Sequence, residues 1–165
     1  MEAKFIFAQF LAFCGAVLYF ISYQCRDNRK LYMVQLFSYL FYTVHFFVLG
    51  AETGGISYIL NLARSIFLAG KWNFARSNKM CMILCSLQLV VAAATWAGWI
   101  PLLPVSAPIA STIGGYTHHA PKIRIHTMFF NSLLWIIYDI IIGFWIGVLD
   151  ELESEVFVLF SLRRY

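Results

Sequence analysis

The chain has 165 residues, of which 61% are hydrophobic, 18% aromatic and only 12% charged, with a net charge of +4. A water-soluble fold would have almost nothing polar with which to cover its surface, so the composition excludes a soluble domain and points to an all-α polytopic membrane helix bundle in a lipid bilayer. The weak positive charge gives no indication of nucleic acid, because its placement follows membrane topology.

Polar interruptions divide the chain into seven candidate spans: Phe5 to Tyr23, Leu31 to Leu49, Gly55 to Ala69, Met80 to Gly98, Leu102 to Tyr116, Ile125 to Leu149, and Leu152 to Leu162. The first lacks a basic leader and a small-residue cleavage site, so it is expected to be a mature helix. Crossing ~30 Å of hydrocarbon takes about 20 helical residues, so the third and fifth spans need neighbours or local thinning. The seventh has an uninterrupted apolar core only from Val156 to Leu162, and it would carry Glu153 and Glu155 into the outer bilayer.

Short cytoplasmic loops collect Lys and Arg. Arg26, Arg29 and Lys30 follow the first span; Lys71, Arg76 and Lys79 follow the third; Lys122 and Arg124 follow the fifth; Arg163 and Arg164 close the chain. These ten of twelve basic residues fall on one side if all seven segments cross. The N-terminus is therefore expected outside and the C-terminus in the cytoplasm, with Lys4 the one misplaced charge.

Sliding the chain by 93 positions places Tyr23 on Tyr116, Arg29 on Lys122, Phe37 on Phe130, Leu40 on Leu133, Gly50 on Gly143 and Gly54 on Gly147. Basic loops, long helices and Gly hairpins coincide in that register. Residues 1–165 thus read as one transmembrane domain of two parallel three-helix repeats, about 5–70 and 102–165, joined by a linker helix at about 80–98. Parallel repeats about an axis along the membrane normal are a transporter architecture, with the site expected at the repeat interface near mid-membrane.

The runs VHFFVLG (Val44 to Gly50), ILNLAR (Ile59 to Arg64) and PLLPV (Pro101 to Val105) resemble the YgjV family of bacterial inner-membrane proteins over nearly the whole chain. That family is similar in its three-plus-one-plus-three plan to the SWEET and PQ-loop carriers of sugars and small solutes, and to the PnuC vitamin carriers. The resemblance implies a bacterial inner-membrane location and a small polar solute as partner. The SWEET plan places an Asn in the third helix of each half. Asn61 matches it in the first half, whereas the last span, the third of the second half, is acidic at Glu153 and Glu155 and has no Asn.

Polar groups inside apolar helices are costly and should face other helices or a wet cavity. Gln35, Ser38, Tyr42 and His45 recur at helical spacing, and Asn61 and Arg64 stand in the returning segment. Counted at ~1.5 Å per residue, Ser38, Asn131 and Arg64 form an inner layer, Tyr42, Trp135 and Asn61 a middle one, and His45, Tyr138 and Asp139 an outer one. The 93-residue offset pairs Ser38 with Asn131, Tyr42 with Trp135, and His45 with Tyr138. Amides and aromatic faces suit sugar rings or heteroaromatic vitamins, so Asn61, Trp135, Tyr42, Asn131 and Ser38 are the candidate solute contacts.

A second reading stands beside each role. Tyr42 and Trp135 are also ordinary packing residues in an aromatic bundle. His45 either makes a helix–helix hydrogen bond or forms a proton-responsive pair with Asp139. Arg64 either lines the site or snorkels to the cytoplasm. Pro108 is opposite Gly15 at the same offset; the pair is either a hinge or, respectively, part of a Pro-rich helix entry and a close-packing residue. Cys14, Cys25, Cys81 and Cys85 are too scattered for a metal site. No nucleophile-and-base arrangement, phosphate loop or metal motif is found, so neither an enzyme nor a cofactor is expected. The leading function is a small-solute transporter working by alternating access. The alternative is a membrane receptor or sorting factor without flux, and a homo-oligomer is compatible with either.

Overall fold

A computed structural model of the chain describes the backbone of residues 2–50, 52–94, 98–99, 102–142 and 145–163. These residues are helical or in turns, with no strand among them: α1 (Glu2–Gln24), α2 (Asn28–Leu49), α3 (Glu52–Ala69), α4 (Asn78–Ala94), α5 (Leu102–Tyr116), α6 (Ala120–Ile125), a π-helical segment (His126–Ser132), α7 (Leu133–Ile142) and α8 (Trp145–Leu162). Because α6, the π segment and α7 follow one another without a break, the described chain forms seven helical rods. Two helices are long and apolar enough to cross a bilayer, Lys4–Gln24 and Asn28–Leu49, while Gly54–Ala69 and Asn78–Ala94 are shorter apolar helices.

The chain divides into two compact units, Met1–Arg76 and Ser77–Tyr165, so α4 belongs with the second. In the first unit α2 packs against both α1 and α3. Helices approach closely in lipid where small residues line the seam, and α1 supplies Ala8, Gly15 and Ser22, all buried at two-turn intervals. Gly15 is needed there: a β-carbon on it would lie 3.1 Å from the Tyr42 ring. Asp27 caps α2 by accepting from the Arg29 amide at 3.0 Å, and Gly50 ends the helix in the left-handed conformation at φ 77°. The Arg29 side chain reaches back across the unit, its Nε donating to the Ala69 carbonyl at 2.9 Å, where α3 leaves carbonyls unpaired.

In the second unit α5 packs against α4 and against the α6–α7 rod, and the rod also packs against α8. The helix bounds recur between the units. Moved by 93, α2 (28–49) falls on 121–142 within the 120–142 rod, and α3 (52–69) falls on 145–162, the bounds of α8.

The burial pattern recurs as well, with one slip. Leu31 and Tyr32 correspond in burial to Ile123 and Arg124, 92 positions on, whereas Ser38 and Tyr39 correspond to Asn131 and Ser132, 93 positions on. The π segment begins after the first of these pairs and contains the second. A π turn houses one additional residue without breaking a helix, and here it brings the second half of the rod back into phase.

Segment ends differ from the sequence reading where apolar runs mask a boundary. The sixth rod begins at Ala120 and its helix ends at Ile142, rather than running from Ile125 to Leu149. Pro121 in its first turn marks the true start. At the other end, hydropathy stays high across residues 142–149, so an apolar run carries the expected span on to Leu149 and only Gly143 and Gly147 mark the boundary. The short seventh segment is correspondingly longer, 18 residues from Trp145 to Leu162.

Candidate functional site

On α2 the polar stripe faces two helices. Towards α1, the Ser38 hydroxyl donates to the Gly15 carbonyl at 2.7 Å, and His45 Nδ1 is hydrogen-bonded to the Ala8 carbonyl at 2.7 Å. Gln35 Nε2 donates to the Tyr23 hydroxyl at 3.1 Å. Ser38 and His45 thus hold α1 to α2, the helix–helix reading of His45. Gly15 accepts Ser38 and lies under the Tyr42 ring, so its place in the seam is one of close approach.

Towards α3, the stripe is aromatic. Gly54 lies against Phe46, and Tyr58 meets Tyr42 at 5.1 Å and stacks on Phe46 at 5.2 Å between ring centroids. Those pairs set an antiparallel register in which each step forward on α3 is a step back on α2. Asn61 and Ser65 continue the Gly54–Tyr58 stripe at helical spacing and are 6% and 0% exposed. Arg64 is only 3% exposed rather than snorkelling out. Its Nη2 donates to the Tyr39 hydroxyl at 2.8 Å, and Tyr39, Tyr32, Tyr19 and Tyr23 all lie within its electrostatic reach. Tyr19 and Tyr23 join edge to face with their hydroxyls 3.1 Å apart.

Gln35 Oε1, Asn61 Oδ1 and Ser65 Oγ are among the buried oxygens of this unit that have no hydrogen-bond partner among the described residues. A buried unsatisfied polar group costs about 1–3 kcal/mol, so such groups inside apolar helices are candidate functional positions.

In the second unit Asn131 is buried within the π segment. Trp135 and Tyr138, one turn apart on α7, meet edge to face at 5.9 Å. The side chain of Asp139 lies outside the described residues, so the His45–Asp139 pair is not addressed. Pro108 is buried inside α5, and the Thr112 hydroxyl donates to its carbonyl at 2.8 Å. Missing from the sequence reading were Ser65 and the tyrosines at 19, 23, 39 and 58. Their signal was present as spacing: Tyr19 and Tyr23 are four apart, and Ser65 lies four after Asn61.

The sequence of the chain matches a known family over residues 6–165: Imp-YgjV, bacterial inner membrane protein. The chain belongs to the Imp-YgjV family. No curated protein and no solved structure matches it. Membership makes this a bacterial inner-membrane protein, and it agrees with the resemblance carried by the VHFFVLG, ILNLAR and PLLPV runs. For an Imp-YgjV protein the lipid-facing surface is plain in α1, where Phe5, Phe7, Phe10, Phe13, Val17 and Phe20 are exposed opposite the small-residue seam.

Proposed function

We propose that this protein is a multi-pass carrier of a small polar solute, built from two three-helix repeats joined by α4 and working by alternating access. The observation that carries the reading is the unpartnered, buried Asn61 amide oxygen in the third helix of a unit whose helix bounds recur 93 residues later. An amide held dry with an open acceptor is prepared for a solute that donates a hydrogen bond, and Tyr58 stands one turn before it on the same stripe, in an aromatic cluster with Tyr42 and Phe46. Trp135 and Asn131 supply the same chemistry in the second unit. The N-terminus lies outside and the C-terminus in the cytoplasm, as the distribution of basic loops requires. No covalent step or cofactor is involved. Pro108, which cannot donate the amide of a regular helical turn, lets α5 bend.

The test is uptake into proteoliposomes from a pooled metabolite mixture. Saturable accumulation of one compound is expected, and Asn61→Ala and Trp135→Ala should abolish it while leaving folded protein. Binding without accumulation would indicate a receptor instead. Orientation is checked by labelling single cysteines at Ser77 and at the C-terminus: both should react from the cytoplasmic side, and reaction from opposite sides would remove the seventh crossing.

A further inference from the structure

Two large aromatic rings stand exposed just beyond the end of α3, Trp72 by 61% and Phe74 by 63%. The segment that carries them is held in place. A β-carbon on Gly70 would lie 3.0 Å from the Trp72 ring, the Arg76 amide donates to the Trp72 carbonyl at 3.2 Å in a single helical turn, and Ala75 within that turn is buried. Lys71 and Arg76 flank the rings and are exposed. The α1–α2 connection is tied to the same place by the Arg29 Nε bond to the Ala69 carbonyl at 2.9 Å. Lys30 and Lys71 therefore stand at one end of the unit, each within two residues of that bond, with the exposed Arg26 shortly before Arg29. Asp27 is the one acid in residues 24–30 and 69–77, and its carboxylate accepts from the Arg29 amide.

We propose that this end of the first unit, with Trp72 and Phe74 beside Lys30 and Lys71, is a binding site for the headgroup of an anionic phospholipid. The chain is a bacterial inner-membrane protein, and apolar α3 ends at Ala69. Trp72, three residues further on, is then at the depth where hydrocarbon gives way to headgroups, the level that favours an indole with its apolar body and polar N–H. Arg26, Lys30, Lys71 and Arg76 stand against a single carboxylate already engaged as a helix cap. A phosphodiester with no compensating ammonium offsets that excess, whereas a zwitterionic headgroup does not. Topology alone accounts for the basic residues. It does not account for an indole packed on a glycine and left exposed beside them. A free phosphate would match the charge but leave both rings in water, so the occupant is a lipid. The site is independent of the carrier reading.

The test uses the full chain with Trp96, Trp99, Trp135 and Trp145 replaced by Phe, so that Trp72 alone fluoresces. It is reconstituted in phosphatidylcholine vesicles in which part of the lipid is replaced by brominated phosphatidylglycerol or brominated phosphatidylcholine, since bromine quenches an indole only on contact. Both lipids should quench Trp72, with phosphatidylglycerol preferred about fivefold, the worth of one basic residue beside an anionic surface. Lys30→Gln with Lys71→Gln should remove the preference, and Lys30→Arg with Lys71→Arg should keep it. A protein retaining Trp99 alone, in the uncharged stretch 95–105, should show none. Excess inorganic phosphate at constant ionic strength should leave the Trp72 preference unaltered. The proposal is overturned by an equal preference at Trp72 and Trp99, by a preference that survives loss of both lysines, or by its loss to phosphate, which would make this a free-anion site. Absence of quenching by either lipid would overturn it too, leaving the face open to an acidic protein. If the single-tryptophan protein does not fold, native mass spectrometry of the wild-type chain replaces it. Phosphatidylglycerol adducts should then exceed phosphatidylcholine adducts in the wild type and equal them in the Lys30→Gln, Lys71→Gln protein; equal adducts in the wild type would overturn the proposal.

Discussion

The two units share a helix plan and differ in what fills it. Where the first has Tyr19, Gln35, Tyr39, Arg64 and Ser65, the second has, 93 positions later, Thr112, Met128, Ser132, Phe157 and Val158. The ends of α2 and α3 and much of the burial phase are retained across the offset, and so is the buried phenol of Tyr23 at Tyr116, but the Gln35 amide, the Tyr39 phenol and the Arg64 guanidinium are not. Once the bounds and faces of the second and third rods are preserved, their packing survives wide exchange of side chains. A costly polar cluster survives only where something uses it. The tyrosine–guanidinium cluster is therefore particular to the first unit, while the second repeats the helix plan with a π turn inserted into it and buries Gln88, Arg124 and Asn131 instead.

The largest expected effect comes from testing that insertion. Deleting Leu36 from α2 turns every later residue of the helix by about 100°. Ser38 and His45 then leave the α1 seam, and no monodisperse protein should elute from size exclusion. Deleting Phe129 from the π segment removes the additional residue instead, so the rod should close into a regular α-helix. That variant should melt within a few degrees of the parent by circular dichroism. Equal damage from the two deletions would mean that the π segment is not where the units fall out of phase.

Next in size is a comparison of glycines. A β-carbon at Gly114 would come within 2.5 Å of the His126 β-carbon, whereas at Gly15 it would meet only the Tyr42 ring at 3.1 Å. A β-carbon moves only with its backbone, while a ring can tilt. Gly114→Ala should therefore cost about 1–3 kcal/mol in a denaturant titration, and Gly15→Ala clearly less. The reverse order would contradict the packing of α5 on the π segment.

Smaller still are the hydrogen bonds that join α1 to α2. Such bonds between membrane helices average about 0.6 kcal/mol, so Ser38→Ala and His45→Ala should each lower stability by that order. Neither should change a solute affinity, because both groups are spent on the Gly15 and Ala8 carbonyls. A solute affinity lost in Ser38→Ala with unaltered stability would return Ser38 to the binding surface.

Much of the architecture is legible in the sequence, because apolar runs and basic loops report helix length directly. The ends of α2, α3 and α5 fall within three residues of the expected spans, and the 93-residue offset is visible in identities such as Gly50 with Gly143 before any helix is seen. The π segment is not legible. HTMFFNS contains no breaker, and a one-residue slip shows only when burial on either side can be compared. The α7–α8 boundary is hidden for a related reason, since apolar residues stand on both sides of it. Of the candidate site residues, Asn61 and Arg64 are legible as buried polar positions because a polar group in an apolar helix stands out. Ser38 and His45 stood out equally, yet their partners are main-chain carbonyls of α1, which sequence cannot display. Tyrosines pass as apolar in hydropathy, so the cluster around Arg64 emerges only from the packing of α2 against its neighbours.

The sharpest test of where the chemistry resides is a paired uptake measurement on purified protein in proteoliposomes, comparing Asn61→Ala with Ser154→Ala, its counterpart 93 residues on. If the first unit holds the solute, Asn61→Ala loses saturable uptake at unaltered melting temperature and Ser154→Ala keeps it. Wild-type uptake by a folded Asn61→Ala protein, or equal loss in both variants, would contradict the assignment of the solute to the first unit.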